Sequence, residues 1–332
     1  MLILGIETSC DETAASILSP PRNLLANVVY SQIIHQQYGG VVPELASREH
    51  IKRLIGIVDE ALLRADKQLS DIDAFAVTYG PGLVGALLVG LTFTKSMAQA
   101  LGKPFIGVNH LEGHIFSNYL DFPDCQPPFV ALIVSGGHSS LYHVADWGKY
   151  RLLGKTRDDA PGEAFDKVAK LLGLSYPGGP AIEKASSGGN VNFIKFPRAQ
   201  MGHDSYEFSF SGLKTAVARY LKEQSPEFIG KHLADICASF QEAVGEILAR
   251  KAINACCKLG IDKLSISGGV AMNKRLRELA KHLADREGIA IYQPNPELCT
   301  DNAAMIAAAG AWHLERGEVS PLDLNAVPYL QL

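Results

Sequence analysis

Cysteine is scarce in this 332-residue sequence: the six residues, Cys10, Cys125, Cys237, Cys256, Cys257 and Cys299, are scattered. No CxxC pair occurs, which argues against a cysteine zinc cage or a disulfide framework and fits reduced cytosolic thiols. A strong charge of either sign is also missing. Lys and Arg total 31 against 35 Asp and Glu, for a formal net charge of −4. A global electrostatic footprint for nucleic acid is therefore absent, and any RNA surface must be local or shared with a partner. Residues 1–10 lack the basic start, apolar stretch and small-residue cleavage site of a secretory signal. The most apolar run, residues 82–93, is broken by glycine and followed by Lys95, so it is expected to be too short to span a bilayer. A cytoplasmic protein without a membrane segment is expected. With 47% hydrophobic and 20% charged residues, composition is that of an ordinary globular protein. The length favours two domains around a cleft.

Residues 2–7 and 14–18 read as strands joined by the polar turn 8–13, a hairpin whose tip is rich in acids and hydroxyls. Residues 73–78, the turn Tyr79-Gly80-Pro81-Gly82 and the small-residue stretch to Ala100 read as strand, glycine turn and helix. A short buried strand at 105–108 runs directly into His110-Leu-Glu-Gly-His114. The proline-rich link 123–128 then marks the best boundary. Beyond it the opening unit repeats, with a strand at 129–134, the turn Ser135-Gly-Gly-His138 and a returning strand at 140–144. Residues 261–266, the turn Ser267-Gly268-Gly269 and a helix over 273–283 give strand, glycine turn and helix again. Any one of these turns is as well explained as a tight connection. Together they point to phosphates and a nucleotide.

On a helix, His110 and His114 lie on one face, one turn apart, which suits two imidazole ligands to a metal. A lone histidine is more often a satisfied core or surface residue; the pair after a strand favours the metal. In the metalloprotease pattern HExxH the glutamate directly follows the first histidine. Here Glu112 stands two residues after His110, roughly 200° round a helix, and points away from such a metal. Asn273, at a helix start after two glycines, can cap the helix or bind a nucleotide. Arg48, Lys52 and Arg53, and Lys274, Arg275 and Arg277, are candidate RNA contacts that read equally well as solvated helix faces.

Ten blocks resemble one family in order and spacing. They are GIETSCDET (5–13), GGVVPELASREH (39–50), YGPGLVGALLVG (79–90), HLEGH (110–114), VSGGHS (134–139), GEAFDK (162–167), YPGGP (176–180), FSFSGLKT (208–215), SGGVAMN (267–273) and CTDNAAMIA (299–307). The chain resembles the bacterial tRNA N(6)-threonylcarbamoyladenosine transferase family over essentially its whole length. Ser139 stands where threonine is usual and Pro161 where alanine is common; neither is a proposed ligand. The resemblance implies an α/β, two-lobed actin-like (ASKHA) fold, each related domain a mixed sheet flanked by helices, with the ligand in the cleft. The lobes are expected at 1–125, completed by a helix at 303–325, and at 126–302. It implies transfer of threonylcarbamoyl from threonylcarbamoyl-AMP to the exocyclic amine of adenosine 37 of tRNA, with AMP leaving. A smaller degenerate paralogue and a P-loop ATPase are the implied partners, and ATP or ADP is a further candidate for the cleft.

The resemblance adds Asp301 to the two histidines, and two imidazoles with one carboxylate suit iron or zinc better than calcium. It also implies that Ile133, Val134, Ser135, Gly136 and Gly137 contact the adenylate and that Asp166, Gly179 and Glu183 line its ribose. In an actin-like fold the first hairpin tip overhangs the phosphates, so Asp11 and Glu12 are candidate general bases toward the tRNA amine. They read equally well as a solvated turn. Two competing functions remain: a small-molecule kinase of the same fold, which has no need of HxxxH, and a nucleotide-regulated scaffold, which would tolerate loss of the metal ligands and the polar tip.

Overall fold

The apolar runs Ile3–Glu7 (β1) and Phe129–Val134 (β6) are buried along their whole length, as strands covered on both faces require. Each is the centre of a five-stranded sheet in the computed structural model, which describes residues 1–199 and 205–332. The first sheet adds β2 (Glu12–Ser19), β3 (Asn23–Ser31), β4 (Ala74–Gly80) and β5 (Phe105–Asn109) in the order β3-β2-β1-β4-β5. β1 is antiparallel to β2 and parallel to β4. Its helices are α1 (Pro43–Arg64), α2 (Val84–Leu101) and α3 (His110–Asp121). The second sheet adds β7 (Ser139–Asp146), β8 (Lys149–Lys155), β9 (Lys263–Ser267) and β10 (Ala290–Tyr292) in the order β10-β9-β6-β7-β8. Here β6 is antiparallel to β7 and parallel to β9. The two sheets therefore share one topology, and the repeat extends beyond the opening hairpin. The accompanying helices are α4 (Pro161–Leu171), α5 (Gly178–Ala185), α6 (Ser211–Lys222), α7 (Pro226–Lys231), α8 (Leu233–Leu259) and α9 (Lys274–Glu287), and the chain ends with α10 (Pro296–Cys299) and α11 (Ala303–Leu314).

Contacts divide the chain into Met1–Pro123 with Pro294–Leu332, and Asp124–Gln293. The chain returns to the first unit at Pro294, earlier than the expected lobe limit of 302, so α10 and Asp301 belong to the first unit. The expected helix at 303–325 is helical only to Leu314. Gly317 takes φ +77, and from there the chain runs as a strap, with Ser320 N–H donating to Phe105 O (2.8 Å) and Val327 N–H to Tyr79 O (2.8 Å). The helix expected over the stretch to Ala100 runs to Leu101, so the apolar element is longer than the run 82–93, which was expected to be too short to span a bilayer. At 18 residues α2 is long and apolar enough, by length and composition, to cross a membrane. One of its faces, with Ala86, Leu87, Leu91 and Ala98, is buried, and Lys95 Nζ donates to Leu324 O (2.9 Å).

Seven of the twelve residues of α11 are alanine or glycine, and this lets it lie directly on the first sheet. A Cβ at Gly310 would stand 2.4 Å from Ala76 Cβ, and one at Gly5 2.5 Å from Ala303 O. Gly56, on the exposed face of α1, has no atom within 4 Å of such a Cβ. The two helical glycines therefore predict opposite outcomes for one chemical change. Gly56→Ala should stabilise by about 1 kcal/mol through helix propensity. In Gly310→Ala the same gain is outweighed by overpacking, which typically costs ~1–3 kcal/mol, leaving a net loss. Urea midpoints of the two variants check this, and a Gly310→Ala midpoint at or above the parent contradicts the packing.

Candidate active site

In the first unit, two capped helix starts bring the metal candidates together. Asn109, which ends β5, accepts from Leu111 N–H (2.8 Å) and so starts α3 at His110. Asn302 does the same for α11 by accepting from Met305 N–H (3.0 Å), with Asp301 just before it. Between these helices Gly113 admits Ile306, whose Cδ1 would lie 2.7 Å from a Cβ there. His110, His114 and Asp301 each offer one ligand atom, and these atoms all lie within 4.8 Å of one another. Asp301 Oδ1 is 3.1 Å from His114 Nε2 and 3.6 Å from His110 Nε2. The other histidine nitrogens differ. His110 Nδ1 lies 3.1 Å from Glu7 Oε2 and 3.2 Å from Ser9 Oγ, whereas His114 Nδ1 is buried with no hydrogen-bond partner among the described residues.

Glu7 was not singled out by sequence reasoning. It is fully buried at the end of β1, where its carboxylate accepts from Ser9 N–H, from Thr78 Oγ1 (2.5 Å) and from His110. Burial pushes its carboxyl up, but the charge and hydrogen bond of His110 prevail and hold it below its ordinary value. In turn, burial opposes the His110 cation, yet the Asp301 and Glu7 carboxylates raise its pKa to about 9. A carboxylate behind a histidine is the usual arrangement for a metal-binding imidazole, because it fixes the ring and its tautomer. The signal was an acid closing an otherwise apolar strand. Glu112 faces away as expected and accepts from His313 Nε2 (3.0 Å), which removes the protease base.

Glu12 opens β2 next to Asp11. Burial, then the charges of Asp11 and Asp301, push its carboxyl well above the ordinary range. The same burial, with Asp11 and Glu12, raises the neighbouring Cys10 thiol, so Cys10 is no ready thiolate nucleophile.

In the second unit, β6 and β9 are parallel neighbours with Ile133 opposite Ser267. The turns after them therefore lie side by side at the carboxyl ends of the strands, where ligands of open α/β sheets bind. Gly268 is required there, with φ +94 and a Cβ position 2.3 Å from Val134 O. Gly136 and Gly137 have nothing within 4 Å of a Cβ, so packing does not demand glycine at either. Ile133 and Val134 are fully buried strand residues, which leaves only their backbone to meet a ligand. Gly162, at the start of α4, closes on the turn, with a Cβ position 2.7 Å from Gly136 Cα. From α4, Asp166 accepts from Gly178 N–H (2.7 Å) and holds the start of α5, which carries Gly179 and Glu183. Glu183 accepts from Lys274 N–H (3.1 Å) at the start of α9. Asn273 caps that helix by accepting from Leu276 N–H (3.0 Å) and donates to Gln241 Oε1 (2.8 Å).

The candidate RNA cations are largely engaged within the chain. Arg48 pairs with Glu44 (2.6 Å), Lys52 with Glu49 (2.6 Å) and Arg275 with Glu242 (2.5 Å), while Arg277 donates to Ala271 O (2.8 Å).

A sequence model described as TsaD, tRNA N6-adenosine threonylcarbamoyltransferase, matches residues 23–308. A Clostridium perfringens protein named tRNA N6-adenosine threonylcarbamoyltransferase is 54% identical over 334 residues, spanning 100% of this chain and 98% of its own. A Clostridium botulinum protein of the same name is 52% identical over 99% of this chain and 97% of its own. Among solved structures, T. kodakarensis HypF covers 95% of this chain and 48% of its own at 16% identity, with a TM-score of 0.64. This last likeness concerns the fold alone, the actin-like (ASKHA) class that the two mixed sheets already describe. With a family match over most of its length and relatives more than half identical from end to end, the chain belongs to the TsaD family of tRNA N6-adenosine threonylcarbamoyltransferases.

Proposed function

We propose that the chain transfers the threonylcarbamoyl group from threonylcarbamoyl-AMP to the exocyclic amine of adenosine 37 in tRNAs reading codons that begin with A. The observation that carries this reading beyond the fold is the His110, His114 and Asp301 cluster with Glu7 behind it. A small-molecule kinase of the same fold has no use for that cluster. The donor is a mixed carboxylic-phosphoric anhydride, already activated, so transfer needs positioning and charge stabilisation more than a covalent nucleophile. The amine nitrogen attacks the carbonyl carbon, the bond from that carbon to the phosphate oxygen breaks, and AMP departs with the bonding electrons. Glu12 or Asp11 orients the amine and takes its proton. Burial, Asp11 and Asp301 raise the Glu12 carboxyl, and a raised pKa makes its ionised form the stronger proton acceptor, so Glu12 acts as the base in that form. The adenylate lies against the 135–138 turn, with Asp166, Gly179 and Glu183 toward its ribose and Asn273 beside it; ATP or ADP fits the same turns.

His110, His114 and Asp301 would hold one divalent ion per chain, iron or zinc by the softness of the donors. Such an ion supplies positive charge for phosphate oxygens. The working assembly includes tRNA, a smaller degenerate paralogue and a P-loop ATPase, in the cytoplasm.

The direct test supplies threonylcarbamoyl-AMP, these partners and tRNA, and reads the modified nucleoside by mass spectrometry; its absence under conditions where a family relative works defeats the reading. For the metal, His110→Ala and His114→Ala should each abolish stoichiometric binding by elemental analysis. Glu7→Gln should keep the ligands but weaken affinity by about 10–100-fold, the usual cost of losing a carboxylate behind a ligating histidine. Parental stoichiometry in both histidine variants rejects the assignment. For the nucleotide, Gly137→Val should keep the fold, since no protein atom meets the new side chain's Cβ, yet weaken adenylate binding by calorimetry. Unchanged affinity removes the adenylate from this turn.

A further inference from the structure

The block at 39–50 has no part in the chemistry above, yet its last residue, His50, is fully buried against the hairpin tip. His50 Nε2 donates to Cys10 O (2.9 Å), while Nδ1 accepts from Thr13 Oγ1 (2.8 Å). The imidazole therefore grips the tip on both sides of Asp11 and Glu12. Behind it stands Gln32, whose backbone N–H donates to Asp11 O (3.1 Å). The Gln32 amide nitrogen donates to Ala46 O (3.2 Å) and reaches His50 Nδ1 (3.4 Å). Its Oε1 accepts from His35 Nε2 (2.9 Å), and His35 Nδ1 accepts in turn from Val42 N–H (3.3 Å). One assignment satisfies every contact: both histidines neutral, each with its proton on Nε2. Burial holds the His50 imidazole below its ordinary value, in keeping with the neutral form.

Thr13, Gln32, His35 and His50 are all buried, and a buried polar network is stable only when every member is paired, which makes it rigid and specific. What it fixes is the 10–13 loop. Asp11 and Glu12 are adjacent acids on which each other's charge and that of Asp301 act unfavourably, so their placement depends on what holds the backbone around them. Simple packing would not need donors aimed at the Cys10 and Asp11 carbonyls, the two peptides immediately before the proposed base.

We propose that His50, backed by Gln32 and His35, is a positioning residue for the transfer step, holding the 10–13 loop so that Asp11 and Glu12 meet the tRNA amine. This rests on the reading of those acids as the catalytic pair, and the test separates the two.

Single-turnover transfer from saturating preformed threonylcarbamoyl-AMP, with the full set of partners and tRNA, is measured for His50→Leu, His50→Gln, Asp11→Asn, Glu12→Gln and the double variant His50→Leu/Glu12→Gln. His50→Leu should slow transfer by about tenfold to a hundredfold, the scale set by an ångström of misplacement. Its adenylate affinity and metal content should stay parental. His50→Gln, whose amide nitrogen takes the place of Nε2 and keeps the donor to Cys10 O, should recover most of the rate. The double variant should be no slower than Glu12→Gln alone, because His50 acts through that acid. A parental rate in His50→Leu overturns the proposal, as does a loss matched by lost adenylate or metal binding, or an additive double variant. If His50→Leu does not fold, His50→Asn replaces it: lacking a donor at the Nε2 position, it should be slow where His50→Gln is fast, and equal rates overturn the proposal. Parental rates in both Asp11→Asn and Glu12→Gln remove the catalytic pair and this proposal with it. Slow acid variants beside a fast His50→Leu remove the positioning role alone.

Discussion

The first unit depends on how closely α11 approaches β1, β4 and α3. Three close approaches are made at glycine: Gly5 beneath Ala303 and Ala307, Gly310 over Ala76, and Gly113 against Ile306 and Met305. Interiors are close-packed, so a methyl group at such a point shifts backbone rather than filling space. Asp301 immediately precedes α11, and the histidines lie on α3. The separation of carboxylate and imidazoles is thus set by helix packing around Gly5, Gly113 and Gly310.

That centre gathers acid around two imidazoles. Against burial, His110 holds the Glu7 carboxyl below its ordinary value, and, again against burial, Asp301 and Glu7 raise His110; burial, then Asp11 and Asp301, push Glu12 well above its own. The chemistry of the tip and the state of Asp301 are therefore coupled through space. Positive charge among His110, His114 and Asp301 would relieve one of the repulsions that hold Glu12 up and bring it nearer to titrating at neutral pH. A metal and a base in such a unit would be one electrostatic device, in which occupancy of the first would tune the strength of the second.

The sequence announces those parts whose physics is local. Strand alternation, the glycine turns and the i, i+4 histidines are visible because each is decided within a few residues, and the structure has β1, β2, β6, β7 and α3 where the patterns put them. What it conceals is decided at long range. Glu7 reads as the polar end of a strand until α3 is laid beside it, 103 positions later. His50 sits in a helix whose flanking Ile51 and Ile55 are exposed, so periodicity does not mark it as buried against residues 10–13. The 315–332 strap shows no helical or strand period, since it is held by isolated turns and by single backbone bonds to β4 and β5.

The duplicated topology makes the divergence of the two tips informative. The loop from β1 to β2 and the loop from β6 to β7 occupy equivalent places in sheets of the same order. One carries Ser9, Asp11 and Glu12, the other Ser135, Gly136 and Gly137. A carboxylate pair facing a phosphate costs Coulomb energy that grows as the site dries, whereas glycine exposes N–H groups and lets backbone close on an anion. Acids are tolerable in the first tip because a ligand set suited to a divalent ion, His110, His114 and Asp301, lies in the same unit. No such set occurs among the described residues of the second unit. The two tips thus differ in chemistry within one topology, acids and hydroxyls in the first and exposed glycine backbone in the second, which suits the first to cations and the second to anions.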